Sequence, residues 1–244
     1  MSRVVALAYG VASYLAFLAA FLYAVGFVGN LLVPKSIDSG PAGPLPASVL
    51  IDTLLLLLFA VPHSVMARPA FKRWWTRFVP PPVERTTYVL VSSLTLGLLF
   101  WQWRPIPAVA WQVASPAGRL IVLAVFWAGW ATVLVSTFLI DHFDLFGLRQ
   151  VYLHASRRPY TPVAFKAPGL YRHVRHPIML GFLVAFWAAP TMTAGHLLFA
   201  GATTAYVLIA LQLEERDLVA LHGEEYRAYR KQAGMLLPLP RSPR

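Results

Sequence analysis

Residues 175–215 read RHPIMLGFLVAFWAAPTMTAGHLLFAGATTAYVLIALQLEE, and this stretch decides the fold. Between Arg175 and Glu214 lie 38 residues with no Lys, Arg, Asp or Glu. An α-helix rises about 1.5 Å per residue, and about 20 apolar residues cross a bilayer, so the block is too long for one crossing. Pro190 and Gly195 punctuate it where a turn is required. The stretch predicts a helical hairpin with two short spans, 177–189 and 196–213. The two charged ends of that hairpin return to one side of the membrane.

Outward from the hairpin the same pattern repeats. There are 31 uncharged residues between Arg3 and Lys35, 18 between Arg85 and Arg104, and 21 between Arg119 and Asp141. These predict spans over 4–32, 86–103 and 120–140. Residues 53–67 form a weaker block that reaches span length if Asp52 lies near the interface. The first block is far longer than the 7–15 apolar residues of a signal peptide and reads as a retained span. The expected fold is an all-α polytopic membrane bundle of about six spans, in a single integral membrane domain. Residues 1–140 supply four spans, 141–176 a cytoplasmic segment, 177–213 the hairpin, and 214–244 a cytoplasmic helix and tail.

Composition agrees. Hydrophobic residues make up 58% and charged residues 13%, against about 25% charged in a soluble domain. A water-soluble domain is excluded. The formal charge of +11 suggests nucleic acid in a soluble protein, but here it follows from basic loops, and no nucleic-acid partner is expected. Eighteen of the 21 Lys and Arg residues fall at the N-terminus, between spans 2 and 3, between spans 4 and 5, and after span 6. The positive-inside rule then places both termini in the cytoplasm. Trp74 and Trp75 on one side, and Trp101, Trp103 and Trp111 on the other, suit the two aromatic belts.

Absent motifs narrow the chemistry. There is no cysteine, which excludes Cys-ligated metal and a Cys nucleophile. No G-x-G-x-x-G or phosphate-binding loop occurs, so no Rossmann domain is expected. No histidine lies at mid-span to hold a haem, and no metal ligand set is evident.

The polar groups that remain gather at the cytoplasmic ends of spans. Tyr171, Arg172, His173, Arg175 and His176 precede Pro177, which suits the first position of a helix because it has no N–H to lose there. The start of a helix flanked by arginines favours anions, and lipid-facing anchoring explains such a loop equally. Glu214-Glu215 and Leu218 begin a helix leaving the membrane, with Tyr226 and Tyr229 farther along. Carboxylates there suit ribose hydroxyls or an ammonium group, or simply a solvated face. Asp141-His142-Phe143-Asp144 is a compact acid–base cluster, or a set of polar caps on span 4. His63 follows Pro62 near an interface. Asp38, in a Pro/Gly-rich loop over 34–46, lies on the opposite side; if that loop re-enters the membrane, Ser36 and Asp38 become candidates.

Arg175-His176-Pro177, with Gly181 four residues past the proline, then the hairpin, Glu214-Glu215-x-x-Leu218, Gly223-x-x-Tyr226-x-x-Tyr229 and Pro238, resembles the isoprenylcysteine carboxyl methyltransferase and NnrU-like membrane family. Over the whole chain, including the stretches around Lys35-Ser36-Ile37-Asp38, His142-Phe143-Asp144 and Pro159-Tyr160-Thr161-Pro162, the sequence is similar to the methanethiol S-methyltransferases. That resemblance implies S-methylation of a small volatile thiol, methanethiol, to dimethyl sulfide with S-adenosylmethionine and without a metal. It implies a cofactor site on the cytoplasmic side holding Tyr171, Arg172, His173, Arg175, His176, Pro177, Met179, Glu214, Glu215 and Leu218. Met179 stands where the family often has Tyr.

A thiol is a weak nucleophile until deprotonated. The expected base is His142, oriented by Asp141 or Asp144, with His63 as rival. Two other readings compete. One is methylation of a prenylcysteine carboxylate, which needs no base, or of a lipid acceptor. The other is a non-enzymatic NnrU-like accessory protein or a small transporter.

Overall fold

The computed structural model describes residues 1–239. The last five residues of the expected C-terminal tail, 240–244, lie outside the described residues. In chain order the helices are α1 (Arg3–Gly29), α2 (Leu45–Ala67), α3 (Pro69–Trp75), α4 (Pro81–Gln102), α5 (Pro116–Ile140), α6 (His142–Leu145), α7 (Leu148–Ala155), α8 (Pro177–Trp187), α9 (Ala194–His222) and α10 (Glu224–Gln232). A 3-10 turn covers Gly169–Arg172, and two short strands, β1 (Val109–Gln112) and β2 (Thr191–Thr193), complete the set.

Among the described residues four helices, α1, α2, α5 and α9, are long and apolar enough to cross a membrane, and the chain is an integral membrane protein. All six expected spans have a helix. However, α4 carries Glu84 and Arg85 in its first turns, and the apolar α8 has 11 residues. At about 1.5 Å per residue α8 is roughly half the hydrocarbon thickness.

Helix ends move from the expected positions for local reasons. α1 stops at Gly29 because Asn30 adopts a left-handed conformation (φ 54°) and donates its N–H to Gly26 O. α2 starts at Leu45, eight residues early, so Asp52 sits inside the helix, fully buried. Its Oδ1 accepts the Arg104 backbone N–H at 2.8 Å. A purely helical fold is not what forms. β1 and β2 pair antiparallel, Val109 with Thr193 and Gln112 with Thr191, around a bulge. The connectors between helices carry peptide groups that need partners, and a short ladder supplies them.

The chain divides into two compact units. The first contains residues 1–112, 143–162 and 191–203. In it Ala6, Val83 and Val151 form a fully packed cluster joining α1, α4 and α7. Phe27, Phe100, Trp103 and Phe199 make a second, aromatic cluster, with ring centroids 4.9–6.2 Å apart. The loop after α1 folds inward. Ile37 is fully buried, and Asp38 accepts from Asn30 Nδ2 (2.8 Å) and Thr193 Oγ1 (2.5 Å).

The second unit contains residues 113–142, 163–190 and 204 onward. Its centre is the packing of α5 on α8. A Cβ on Gly129 would lie 2.7 Å from Ala185 N, and one on Gly181 would lie 2.7 Å from Gly129 O. The two backbones therefore meet directly, as small residues allow between membrane helices.

Candidate active site

The second unit builds the candidate site from the start of α8. His176 precedes a proline and is barred from helical geometry, so its N–H needs a partner outside the helix. The C-terminal strap provides it. Gly234 N donates to His173 O (3.1 Å), Arg175 N to Gly234 O (2.8 Å) and His176 N to Met235 O (3.2 Å). Residues 173–176 are thus a paired segment and not a free loop.

Side chains complete the knot. Arg175 Nε donates to Glu215 Oε1 at 2.6 Å, and Arg175 Nη1 to Ala233 O at 2.5 Å. His176 Nε2 lies 3.3 Å from the same Glu215 oxygen, and Tyr226 OH donates to it at 3.4 Å. Arg230 Nε reaches Glu215 Oε2 at 3.3 Å. Glu215 is therefore buried and surrounded by donors. Glu214 differs: its side chain is 43% exposed, with His176 Nδ1 at 3.8 Å. The two glutamates look equivalent in sequence, but Glu214 is far more exposed, and Glu215 shows only a small edge of its side chain. A cleft of about 330 Å³ opens beside Glu215, lined by Gln212, Glu215, Arg216, Val219 and Arg230.

The chain can double back because α9 ends at Gly223, whose φ of +56° is costly for other residues. α10 then brings Tyr226 to Glu215. Phe165 packs on His222, Tyr226 and Tyr229, with centroids 5.1, 5.9 and 5.3 Å away. Burial pushes the phenols of Tyr226 and Tyr171 far above the usual range, and Tyr229 up to about 12, with neighbouring carboxylates adding to each. They remain donors at neutral pH. Tyr229 OH donates to Tyr171 O at 2.5 Å.

Tyr171 carries the connection onward to α5. Its hydroxyl donates to Ser136 O at 3.4 Å. The next residue, Thr137, holds His142: Thr137 Oγ1 is 2.8 Å from His142 Nδ1. That hydroxyl donates its one proton to Leu134 O at 2.7 Å. It must accept from Nδ1–H, which leaves Nε2 as the basic nitrogen. The ring also stacks on Phe138 at 4.2 Å. Burial lowers the His142 pKa below the ordinary imidazole value. The helix end that turns the chain between Thr137 and His142 is Asp141, the C-cap of α5, at φ 135°.

The remaining expected residues divide. Arg172 and His173 are exposed, Pro177 is buried, and Met179 and Leu218 are half-buried. Asp144 belongs to the first unit, where its carboxylate accepts from Arg149 Nη1 (2.8 Å) and Tyr160 OH (3.3 Å). His63 is also in the first unit, with Nε2 2.9 Å from Tyr88 OH and Nδ1 2.9 Å from Ser92 Oγ. Sequence reasoning missed Thr137, Phe165, Arg230 and the 233–235 strap. Only Tyr226 and Tyr229 had a signal, their spacing after Gly223.

The profile of the NnrU protein family matches residues 51–214. A methanethiol S-methyltransferase of Mycobacterium tuberculosis is 61% identical over 98% of this chain and 98% of its own length. The chain belongs to the methanethiol S-methyltransferase family. Another member of that family, from Crocosphaera subtropica, is 55% identical over 98% of this chain and 93% of its own. Mouse nurim is a more distant relative, 33% identical over 74% of the chain and 72% of its own length. No solved structure matches. The methanethiol S-methyltransferase relatives span both units described above, so the family resemblance covers the His142 segment as well as the Arg175–Glu215 knot.

Proposed function

We propose that this protein methylates the sulfur of methanethiol, forming dimethyl sulfide, with S-adenosylmethionine as donor. The observation that carries the reading is the knot of Arg175, His176 and Glu215 beside the half-exposed Glu214, in a chain 61% identical along its length to a methanethiol S-methyltransferase. The donor set fits the methyl donor. Arginines suit a carboxylate, Glu214 suits an ammonium group or ribose hydroxyls, and the half-buried Phe165 and Tyr229 rings suit a base or a sulfonium.

When bound, S-adenosylmethionine supplies a methyl on a positively charged sulfur that leaves as a neutral thioether. The protein's own residues perform the rest. Arg175, His176 and Glu214 hold the donor; Glu215 fixes the first two. His142 Nε2 takes the proton from the thiol as its S–H bond breaks, and the sulfur lone pair becomes the new S–C bond. Phe138 and burial keep His142 neutral and ready to accept that proton. No metal enters the scheme.

In this reading the chain is one integral membrane domain of six spans, with α4 and α8 as the two that tertiary packing completes. Both termini and the site face the cytoplasm of a bacterial inner membrane, because 18 of 21 Lys and Arg residues lie on that side. Methanethiol is small and apolar and reaches the site through the lipid. The test is headspace detection of dimethyl sulfide from purified protein given S-adenosylmethionine and methanethiol. Donor-dependent product with stoichiometric S-adenosylhomocysteine is expected. Donor binding without product would shift the substrate to a prenylcysteine or lipid acceptor. A folded protein that binds no donor would overturn the enzyme reading.

A further inference from the structure

A second cleft, of about 610 Å³, opens in the first unit where the end of α3, the start of α4 and the end of α7 meet. Lys72, Arg85, His154 and Arg158 line it, with Glu84 and Asp144 as the acids. The Asp144 carboxylate is already matched by Arg149 and Tyr160. Arg85 is fixed in place, since its Nε donates to Leu145 O at 2.9 Å and its guanidinium lies 5.6 Å from the Tyr88 ring centroid. The cleft is therefore concave, cationic on balance, and partly preorganised.

The segment that supplies Lys72 and Thr76 to the cleft also carries aromatic residues. Phe71, Trp74, Trp75 and Phe78 form a chain of ring contacts, with centroids 5.4–5.9 Å apart along α3 and just beyond it. Trp74 is 47% exposed and Phe78 69%. Tryptophan beside basic residues is the composition of a membrane interface, where rings lie at headgroup depth and cations face phosphates.

We infer that this cleft binds the phosphate of an anionic phospholipid, with Lys72, Arg85 and Arg158 on the headgroup. The charge of the lining suits a phosphate, and the exposed Trp74 and Phe78 on the same segment as Lys72 put that segment at headgroup depth, where the phosphates are those of lipids. The site shares no residue with the Arg175–Glu215 knot, and its test needs no turnover.

The probe is phosphatidylglycerol, presented in phosphatidylcholine nanodiscs and read by native mass spectrometry and by thermal melting. Wild-type protein is expected to retain bound phosphatidylglycerol and to melt higher with it. Lys72→Gln/Arg158→Gln is expected to bind it about 100-fold more weakly, the factor for two lost hydrogen bonds from charged groups to the phosphate. Arg73→Gln/Arg77→Gln removes the same charge from exposed positions outside the cleft and is expected to change binding little. Melting in neutral detergent confirms that both variants fold. Equal losses in the two variants would reduce the effect to general surface charge and overturn the site. Full stabilisation by inorganic phosphate alone would overturn the lipid assignment.

Discussion

Thr137 on the last turn of α5 holds His142 on α6, with 2.8 Å between Thr137 Oγ1 and His142 Nδ1. The same hydroxyl is committed to Leu134 O, so the contact selects the tautomer as well as the ring position. His142→Ala is expected to lower kcat by about 10²–10⁴-fold, the range for a lost general base, with donor affinity unchanged. Thr137→Val keeps the shape and removes the lock. It should lower kcat and spare KM, and Thr137→Ser should restore most of the rate.

The pH dependence follows from the lowered His142 pKa. The ring stays neutral below the usual imidazole value, so kcat is expected to hold through mildly acidic pH and fall only under it. Stability has the opposite margin. Between the folded and unfolded pKa values the unfolded chain binds more protons, so stability declines as pH drops through the unfolded value of about 6.5. Melting curves of wild type and His142→Gln across this window should differ in slope, with the variant flatter.

Glu214 and Glu215 are expected to separate in experiment. Glu215→Ala strands the buried Arg175 guanidinium and should cost about 3–5 kcal/mol of stability. Glu214→Gln should leave the melting temperature nearly unchanged and weaken S-adenosylmethionine binding by about 10–100-fold, as for a lost charged hydrogen bond. Calorimetry on both variants checks the contrast. Weak melting in Glu214→Gln would show that it, too, is structural.

Gly181→Leu should separate α5 from α8, since even a Cβ there approaches Gly129 O at 2.7 Å. Overpacking of this kind costs about 1–3 kcal/mol. Because the start of α8 carries the Arg175–His176 segment, donor affinity should fall together with the melting temperature.

Truncation after Gln232 is expected to abolish donor binding while leaving a helical protein by circular dichroism. It removes the carbonyls of Ala233, Gly234 and Met235 that Arg175 and His176 use. Tyr229→Phe, which loses the hydrogen bond to Tyr171 O, is the milder version, at about 1 kcal/mol.

By itself the sequence determined the membrane class, the two apolar helices after Pro177 with a break between them, and the polar residues at their outer ends. Those follow from hydrophobicity, charge and Pro/Gly punctuation, which are local properties of neighbouring residues. Tertiary structure decided which glutamate is buried, what orients His142, why Gly181 is small, and that β1 and β2 pair. Each of those contacts joins residues that local pattern does not link. Arg175 meets Glu215 across 40 positions, and Tyr229 meets Tyr171 across 58. Glu214 and Glu215 are chemically identical neighbours on α9, and the helix turns them through about 100° relative to each other. That rotation, with the fold around it, leaves Glu215 among its donors and Glu214 at the surface.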